Sequence, residues 1–267
     1  MLKKKLIFTV VVLLAFIDVH GQVFGVSADK LVAINPLSIP TGTVEFEPAF
    51  GYLYSSTYFE NNGGMQSTSF ENDSITNLQC LFFRTTYGFA KNFEAGVLIS
   101  ANLSNFSAGL KYTFFQAGNT AGAILLGTTF SNESDLVFRN TGFFGKTYSI
   151  ATGVAFTTLL SEKVEIDYDF QYQNLLDKSG SQANDYFATA DASFKIKEGF
   201  RIASGLSYRY NQDKAEKRDA YLLTMNTGLI ISPGRTFIIV LNVPYDLMGR
   251  NTDKYVGFTM ALTIFLD

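Results

Sequence analysis

The sequence predicts an all-β protein: a single closed barrel of twelve antiparallel strands, polar inside and apolar outside. Three observations predict it. Apolar and polar residues alternate over long runs, as they do on strands whose two faces meet different surroundings. Turn-forming residues separate these runs. After residue 21 no apolar stretch reaches the roughly 18 residues of a membrane helix. A membrane-crossing version of this chain would therefore cross with strands.

The composition excludes several other classes of protein. Of the 267 residues, 17% are charged, below the roughly 25% of soluble domains. Acidic residues outnumber basic ones 24 to 21, so no basic nucleic-acid-binding face is expected. The 47% hydrophobic content and net charge of −3 exclude disorder. Cys80 is the single cysteine, which excludes a disulfide scaffold.

The first 21 residues have the order of a secretory signal peptide. Residues 1–5 form a basic region with three lysines, residues 6–17 are an apolar run, and Val19-His20-Gly21 follows. We expect cleavage near Gly21–Gln22. The alternative is a membrane anchor, but about twelve apolar residues fall short of the roughly 20 that a spanning helix needs.

Cleavage there would remove His20, the only histidine. The mature protein would then lack Ser-His-Asp and Cys-His catalysis and any His-ligated metal. We therefore predict that the protein is not an enzyme and carries no catalytic residue, cofactor or metal.

The strands follow from a period-two pattern. Residues 164–173 place Val-Ile-Tyr-Phe-Tyr on one face and Glu-Asp-Asp-Gln-Gln on the other. Residues 106–114, 186–196 and 200–210 alternate in the same way. The pattern predicts twelve strands, over residues 43–55, 75–90, 93–100, 106–116, 120–130, 147–160, 163–173, 186–197, 199–210, 219–232, 235–245 and 254–266.

Short and long connections alternate between these strands. Short turns are predicted at 90–92, 116–119, 161–163, 197–199 and 232–235. Longer polar loops are predicted at 56–74, 101–105, 131–146, 174–185, 211–218 and 246–253. An even strand number places both chain ends on the short-turn side, which in outer-membrane barrels is the periplasm. We expect residues 22–42 to be a periplasmic N-terminal segment, which either leads into the barrel or plugs it. Residues 43–267 are expected to be the barrel.

A soluble β-sandwich would show the same alternation with the faces reversed. Two features favour the membrane barrel. Predicted strands of 11–14 residues exceed the roughly 5–6 residues usual in globular sheets. The polar faces are also rich in Ser, Thr, Gly and Gln, as suits an aqueous lumen. The sequence thus predicts export to the outer membrane of a Gram-negative cell.

A hairpin motif connects the sequence to a known family. Residues 87–88 are Tyr-Gly, residues 94–96 are Glu-Ala-Gly, and residues 109–112 are Gly-Leu-Lys-Tyr. This pattern resembles the outer-membrane transporter family associated with the meta-cleavage pathway of phenol degradation. The resemblance is best over residues 87–115 and extends loosely over 43–267. It implies one outer-membrane barrel that passes small, often apolar, molecules, and it transfers no site residue.

The inner faces of the predicted strands carry charges of both signs. The candidate lumen-lining selectivity residues are Glu45, Glu47, Arg84, Lys111, Glu165, Asp167, Asp169, Asp191, Lys195, Arg201 and Arg209. Opposite charges across a lumen would order water and select polar solutes. Alternatively, these charges pair with one another and fill a narrow interior.

Two functions fit these features. The first is a passive channel or transporter for small molecules, with hydrophobic compounds as one class of solute. The second is a non-conducting barrel that anchors or displays its loops. Either barrel would contact outer-membrane lipids and depend on the barrel assembly machinery, while its solute and oligomeric state are not predicted.

Overall fold

The computed structural model describes residues 23, 25–27, 30–67, 76–131, 147–177, 182–213, 218–234 and 236–266. The predicted signal peptide and most of the loop 131–146 lie outside these ranges. The strands are β1 (Val44–Phe59), β2 (Met65–Ser67), β3 (Thr76–Ala90), β4 (Phe93–Ser100), β5 (Asn105–Ala117), β6 (Thr120–Ser131), β7 (Thr147–Leu159), β8 (Val164–Asp177), β9 (Gln182–Lys197), β10 (Phe200–Asp213), β11 (Arg218–Ile231), β12 (Phe237–Arg250) and β13 (Thr252–Leu266). Within the described ranges, no helix has the length and apolarity needed to cross a bilayer.

The strands close into a barrel. From β3 to β13 each strand pairs antiparallel with the next. β1 pairs with β3 on one side and with β13 on the other, where Val44 lies opposite Leu266 and Phe59 opposite Thr252. β2 only extends the end of β1. The twelve-stranded antiparallel barrel predicted from the sequence is confirmed.

The exposure of the side chains shows which face of the strands is apolar. On β8, Asp167 and Gln171 are buried, whereas Tyr168 and Phe170 are 42% and 51% exposed. The apolar side chains therefore point outward, which a soluble sandwich would not tolerate. Such an exterior requires the hydrocarbon core of a membrane around it.

Aromatic side chains pair across neighbouring strands on this exterior. Four tyrosines lie opposite one another across β8 to β11: Tyr172, Tyr186, Tyr210 and Tyr221. Nearer the short-turn end, ring pairs form between Phe93 and Tyr112 and between Phe156 and Tyr168. Rings on the lipid-facing surface are a common feature of outer-membrane barrels.

The connection between β12 and β13 corrects a prediction. The sequence suggested a loop over 246–253, but the two strands run up to Asn251 on either side. Asn251 has a positive φ of 53°, which suits a tight hairpin turn and which Asn adopts more readily than most residues. Polar residues such as Asp246 misled the prediction because they face the barrel interior. Several other strands, including β1 and β9, also extend beyond their predicted ends for the same reason.

The segment before β1 lies inside the barrel. Val23, Val26 and Ile34 are buried against the β6–β7 wall, in a cluster with Leu125 and Ala155. On the opposite side, Leu31 packs against Ala203, Ile230 and Val240. These last three residues lie near the short-turn ends of β10, β11 and β12. The segment therefore crosses the lumen in its short-turn half.

Candidate lumen site

Charged side chains inside the barrel pair mainly with neighbours on the same wall. Arg84 Nη2 on β3 lies 2.8 Å from Glu45 Oε1 and 2.7 Å from Glu47 Oε2, both on the adjacent β1. Thr263 Oγ1 donates to the same Glu47 oxygen at 2.5 Å. The two carboxylates share one guanidinium, and all three side chains are buried. Within this cluster the charges do not face one another across a water-filled pore.

A second cluster joins β8 and β10 to the N-terminal segment. Arg201 and Lys30 both form ion pairs with Glu165. The Lys30 ammonium also lies 3.4 Å from Asp167 Oδ1. A cation of the segment therefore binds two of the predicted lumen carboxylates.

Two further carboxylates bind the main chain of the segment. Asp191 Oδ2 accepts hydrogen bonds from the amides of Val32 and Ala33 at 2.6 and 2.7 Å. Asp169 Oδ2 accepts one from Ile34 at 3.1 Å. Charge-assisted bonds from buried amides to carboxylates are strong. They satisfy donors that would otherwise be buried without a partner.

The remaining predicted cations have partners on their own strand or the next one. Arg209 Nη2 lies 2.7 Å from Asp185 Oδ2, and its guanidinium lies over the Phe187 ring at 5.1 Å. Lys195 Nζ lies 2.5 Å from Glu198 Oε2, in the exposed turn that follows β9. This hydrogen bond and the positive charge of Lys195 lower the pKa of Glu198.

The Glu94–Lys111 pair is the most enclosed ion pair among the described residues. The Lys111 ammonium lies 3.0 Å from Glu94 Oε1, and both side chains are 0% exposed. The two residues are direct partners in the β4–β5 ladder. Both also contact the N-terminal segment.

A cavity of about 410 Å³ lies inside the barrel beside the segment. Lys30, Leu31 and Val32 line its short-turn end, and Asp246 and Tyr255 lie further towards the long-loop end. Most of the lining is apolar, including Leu53, Cys80, Phe82, Leu98, Phe187 and Leu222. Its volume is in the range of small-molecule sites, which are also mostly apolar with a few polar groups.

Sequence reasoning placed eleven candidate residues in the lumen but missed several of their partners. The predicted lumen residues did not include Glu94 or Asp185, although both lie in runs where apolar and polar residues alternate. Glu94 lies two residues before Gly96 in the hairpin motif, and Asp185 continues the inner face that contains Asp191. Lys30 had no comparable signal because it lies outside any strand. The selectivity role of the candidate residues stays a prediction.

The described part of the chain holds no group of three or more His, Cys, Asp or Glu residues arranged for a metal ion. Cys80 is buried and forms no disulfide among the described residues.

Comparison with known proteins gives a fold match. The sequence matches no family model and no curated protein. An outer-membrane channel from Pseudomonas putida F1 superimposes with a TM-score of 0.67 at 14% identity, over 87% of this chain and 98% of the channel. The NanC porin superimposes with a TM-score of 0.51 at 10% identity, over 82% of this chain and 98% of the porin.

The chain folds as an outer-membrane β-barrel. This barrel architecture and its apolar exterior place the protein in the outer membrane. The fold agrees with the one that the hairpin resemblance implied. The link to phenol degradation stays a prediction.

Proposed function

We propose that the barrel is a passive, non-enzymatic channel for small molecules of apolar character. The lumen cavity is the site where these molecules bind during passage. The cavity is the observation that carries this proposal. It is enclosed by a closed strand wall and lined mainly by apolar side chains. Burying apolar solute surface in such a site is favourable by about 25 cal/mol per Å².

The charge arrangement supports an apolar solute over a polar one. A polar-solute channel would present its charged side chains to water. Here Glu45, Glu94, Lys111 and Asp167 are at most 1% exposed. Glu45 pairs with Arg84, Glu94 pairs with Lys111, and Asp167 lies close to Lys30 of the segment. The cavity wall is therefore less polar than the strand sequences alone suggest.

Uptake of N-phenyl-1-naphthylamine by intact Gram-negative cells tests the proposal, because this apolar dye crosses an intact outer membrane slowly and fluoresces inside it. Cells that produce the barrel should take up the dye faster than cells with an empty vector. Ala49→Phe places a ring in the cavity wall and should abolish the gain.

Ala190→Phe is the matched control. Ala190 lies on the exterior of β9, so the same substitution adds a ring to the lipid side and should leave the uptake unchanged. Heat-modifiable migration on gels verifies that both variants fold. Equal uptake with the barrel and with the empty vector would overturn the proposal, as would equal effects of the two substitutions.

The anchoring alternative has one observation in its favour. The segment crosses the lumen and many lumen charges are paired, as in barrels that are filled by their own side chains. A barrel that passes neither the dye nor glucose in liposome swelling would support this alternative. Rapid swelling in glucose would instead indicate an open polar pore.

A further inference from the structure

Two legs of the N-terminal segment, one at Ser27 and the other at residues 35–39, bind the same pair of side chains, Glu94 and Lys111. One leg is represented by Ser27, whose amide and hydroxyl donate to Glu94 Oε1 at 2.7 and 2.8 Å. The other leg is represented by Ile39, whose amide donates to Glu94 Oε2 at 2.8 Å. One carboxylate thus binds two points of the chain that are twelve residues apart in sequence.

Lys111 joins the same two legs. Its ammonium donates to Ser27 Oγ at 2.6 Å and to the Asn35 carbonyl at 2.7 Å. The Ser27 hydroxyl therefore accepts from Lys111 and donates to Glu94. Glu94, Lys111 and Ser27 are buried, so the bonds among them replace water that the site excludes.

The surrounding backbone is shaped for the same contact. Gly25 has a φ of +87°, and a Cβ there would lie 2.6 Å from the Gly96 carbonyl oxygen and 2.9 Å from the Gly109 nitrogen. A Cβ at Gly96 would in turn overlap the Gly25 carbonyl oxygen. Gly96 and Gly109 are ladder partners on β4 and β5. The segment and the barrel wall both have glycine where they touch, which allows their main chains to lie against each other.

We propose that Glu94 and Lys111 form a clamp that holds the N-terminal segment closed across the lumen. With both legs fixed, residues 30–34 lie against β8 and β9. There Asp191 and Asp169 bind the amides of residues 32–34. Lys30, Leu31 and Val32 are thereby positioned as the floor of the cavity. The inference deepens the proposed function and rests on it only where passage of solute is concerned.

The clamp assigns a role to the hairpin motif. Glu94 is the acidic residue of its Glu-x-Gly element, and Lys111 is the basic residue of its Gly-Leu-Lys-Tyr element. Gly96 and Gly109 are the glycines of the same two elements. These four residues act on the segment as positioning residues and do not line the cavity.

Hydrogen exchange of the full-length barrel, followed by mass spectrometry, tests the clamp without any transport assay. Glu94→Ala and Lys111→Met should speed exchange in peptides covering residues 25–39 by about tenfold or more, as expected for loss of a charge-assisted hydrogen bond. Asp185→Asn removes another buried lumen carboxylate, which accepts hydrogen bonds from Arg209 and Asn211. It should leave exchange in these peptides unchanged.

A second variant avoids any effect on barrel assembly. Ser27→Ala alters only the segment and should also speed its exchange, because both clamp residues lose a hydroxyl partner. The clamp is refuted if Ser27→Ala and Glu94→Ala exchange like the wild type, or if Asp185→Asn speeds exchange as much as they do.

Single-channel conductance separates the clamp from the proposed function. A disulfide between Val23→Cys and Gly127→Cys, in a Cys80→Ser background, should lock the segment, because a Cβ at Gly127 would lie 2.9 Å from Val23 Cγ1. Glu94→Ala should raise conductance, and the disulfide should suppress the rise until a reductant is added. Faster exchange without a conductance change would uphold the clamp and overturn passage through the lumen.

Discussion

Most buried charges in the described part of this barrel are stabilised by a nearby opposite charge or main-chain amide. Arg84 illustrates the case: it neutralises Glu45 and Glu47 on the adjacent strand. Removing one member of such a buried group leaves the others uncompensated, which is far more costly than replacing the whole group. The lumen charges are therefore first of all structural.

Arg84→Met should destabilise the barrel by about 3 to 5 kcal/mol, because two buried carboxylates lose their cation. Urea unfolding of the barrel in lipid bilayers measures this loss. The triple variant Arg84→Met, Glu45→Gln, Glu47→Gln should recover a large part of the stability. If the triple variant is less stable than the single one, the carboxylates have other dominant partners.

The outward side chains of β8 give a depth-dependent prediction. Phe170 lies near the middle of the strand, while Ile166 lies close to the short-turn end. Phe170→Arg should cost about 2 to 4 kcal/mol, as a lipid-facing Arg does at the midplane, and Ile166→Arg about 0 to 1 kcal/mol. The same unfolding assay compares them. Equal costs would contradict the assigned position of the bilayer.

At the scale of elements, the strands were predictable and some of their ends were not. Alternation identified all twelve barrel strands, since both faces differ in polarity along the whole bilayer. It failed at the long-loop end, where β12 continues to Arg250 and the inward-facing Asp246 interrupts the apolar sequence. A polar stretch in sequence does not distinguish a strand extending into water from a loop.

The β12–β13 hairpin yields a prediction at this scale. Asn251 has a φ of 53°, and its side chain donates to the Asp219 carbonyl at 2.8 Å. Asn251→Val and Asn251→Gly both remove this bond, but only Gly accepts the positive φ without strain. The Val variant should therefore unfold at lower urea, by about 1 to 2 kcal/mol relative to Gly. Equal stability would mean that the turn adopts another backbone conformation.

At the scale of the whole molecule, the barrel wall and its internal segment are separable. The wall closes through the β1–β13 ladder, which involves no residue before Val44. Deleting residues 23–39 should therefore leave a barrel with normal heat-modifiable migration. Planar-bilayer recordings should show a larger conductance than the wild type. A truncated chain that fails to form the barrel would show that the segment is needed for assembly.

The interior arrangement was only partly predictable from sequence. Glu165, Asp167 and Asp169 were assigned to the lumen because they alternate with apolar residues. The attachment of Asp169 and Asp191 to residues 32–34 left no trace in the pattern, because these residues form no strand and the bonds involve main-chain amides. Contacts with the backbone are independent of side-chain identity, so periodicity does not reveal them.

That dependence on main-chain amides has an evolutionary consequence. Asp169, Asp191 and Glu94 bind peptide groups that nearly every amino acid provides. Residues 31–34 can therefore diverge widely among descendants of this chain, provided that their size still suits the lumen. Selection would instead act on the acceptors in the wall. Alignments of homologues should show variable residues at positions 31–34 and invariant carboxylates on β4, β8 and β9.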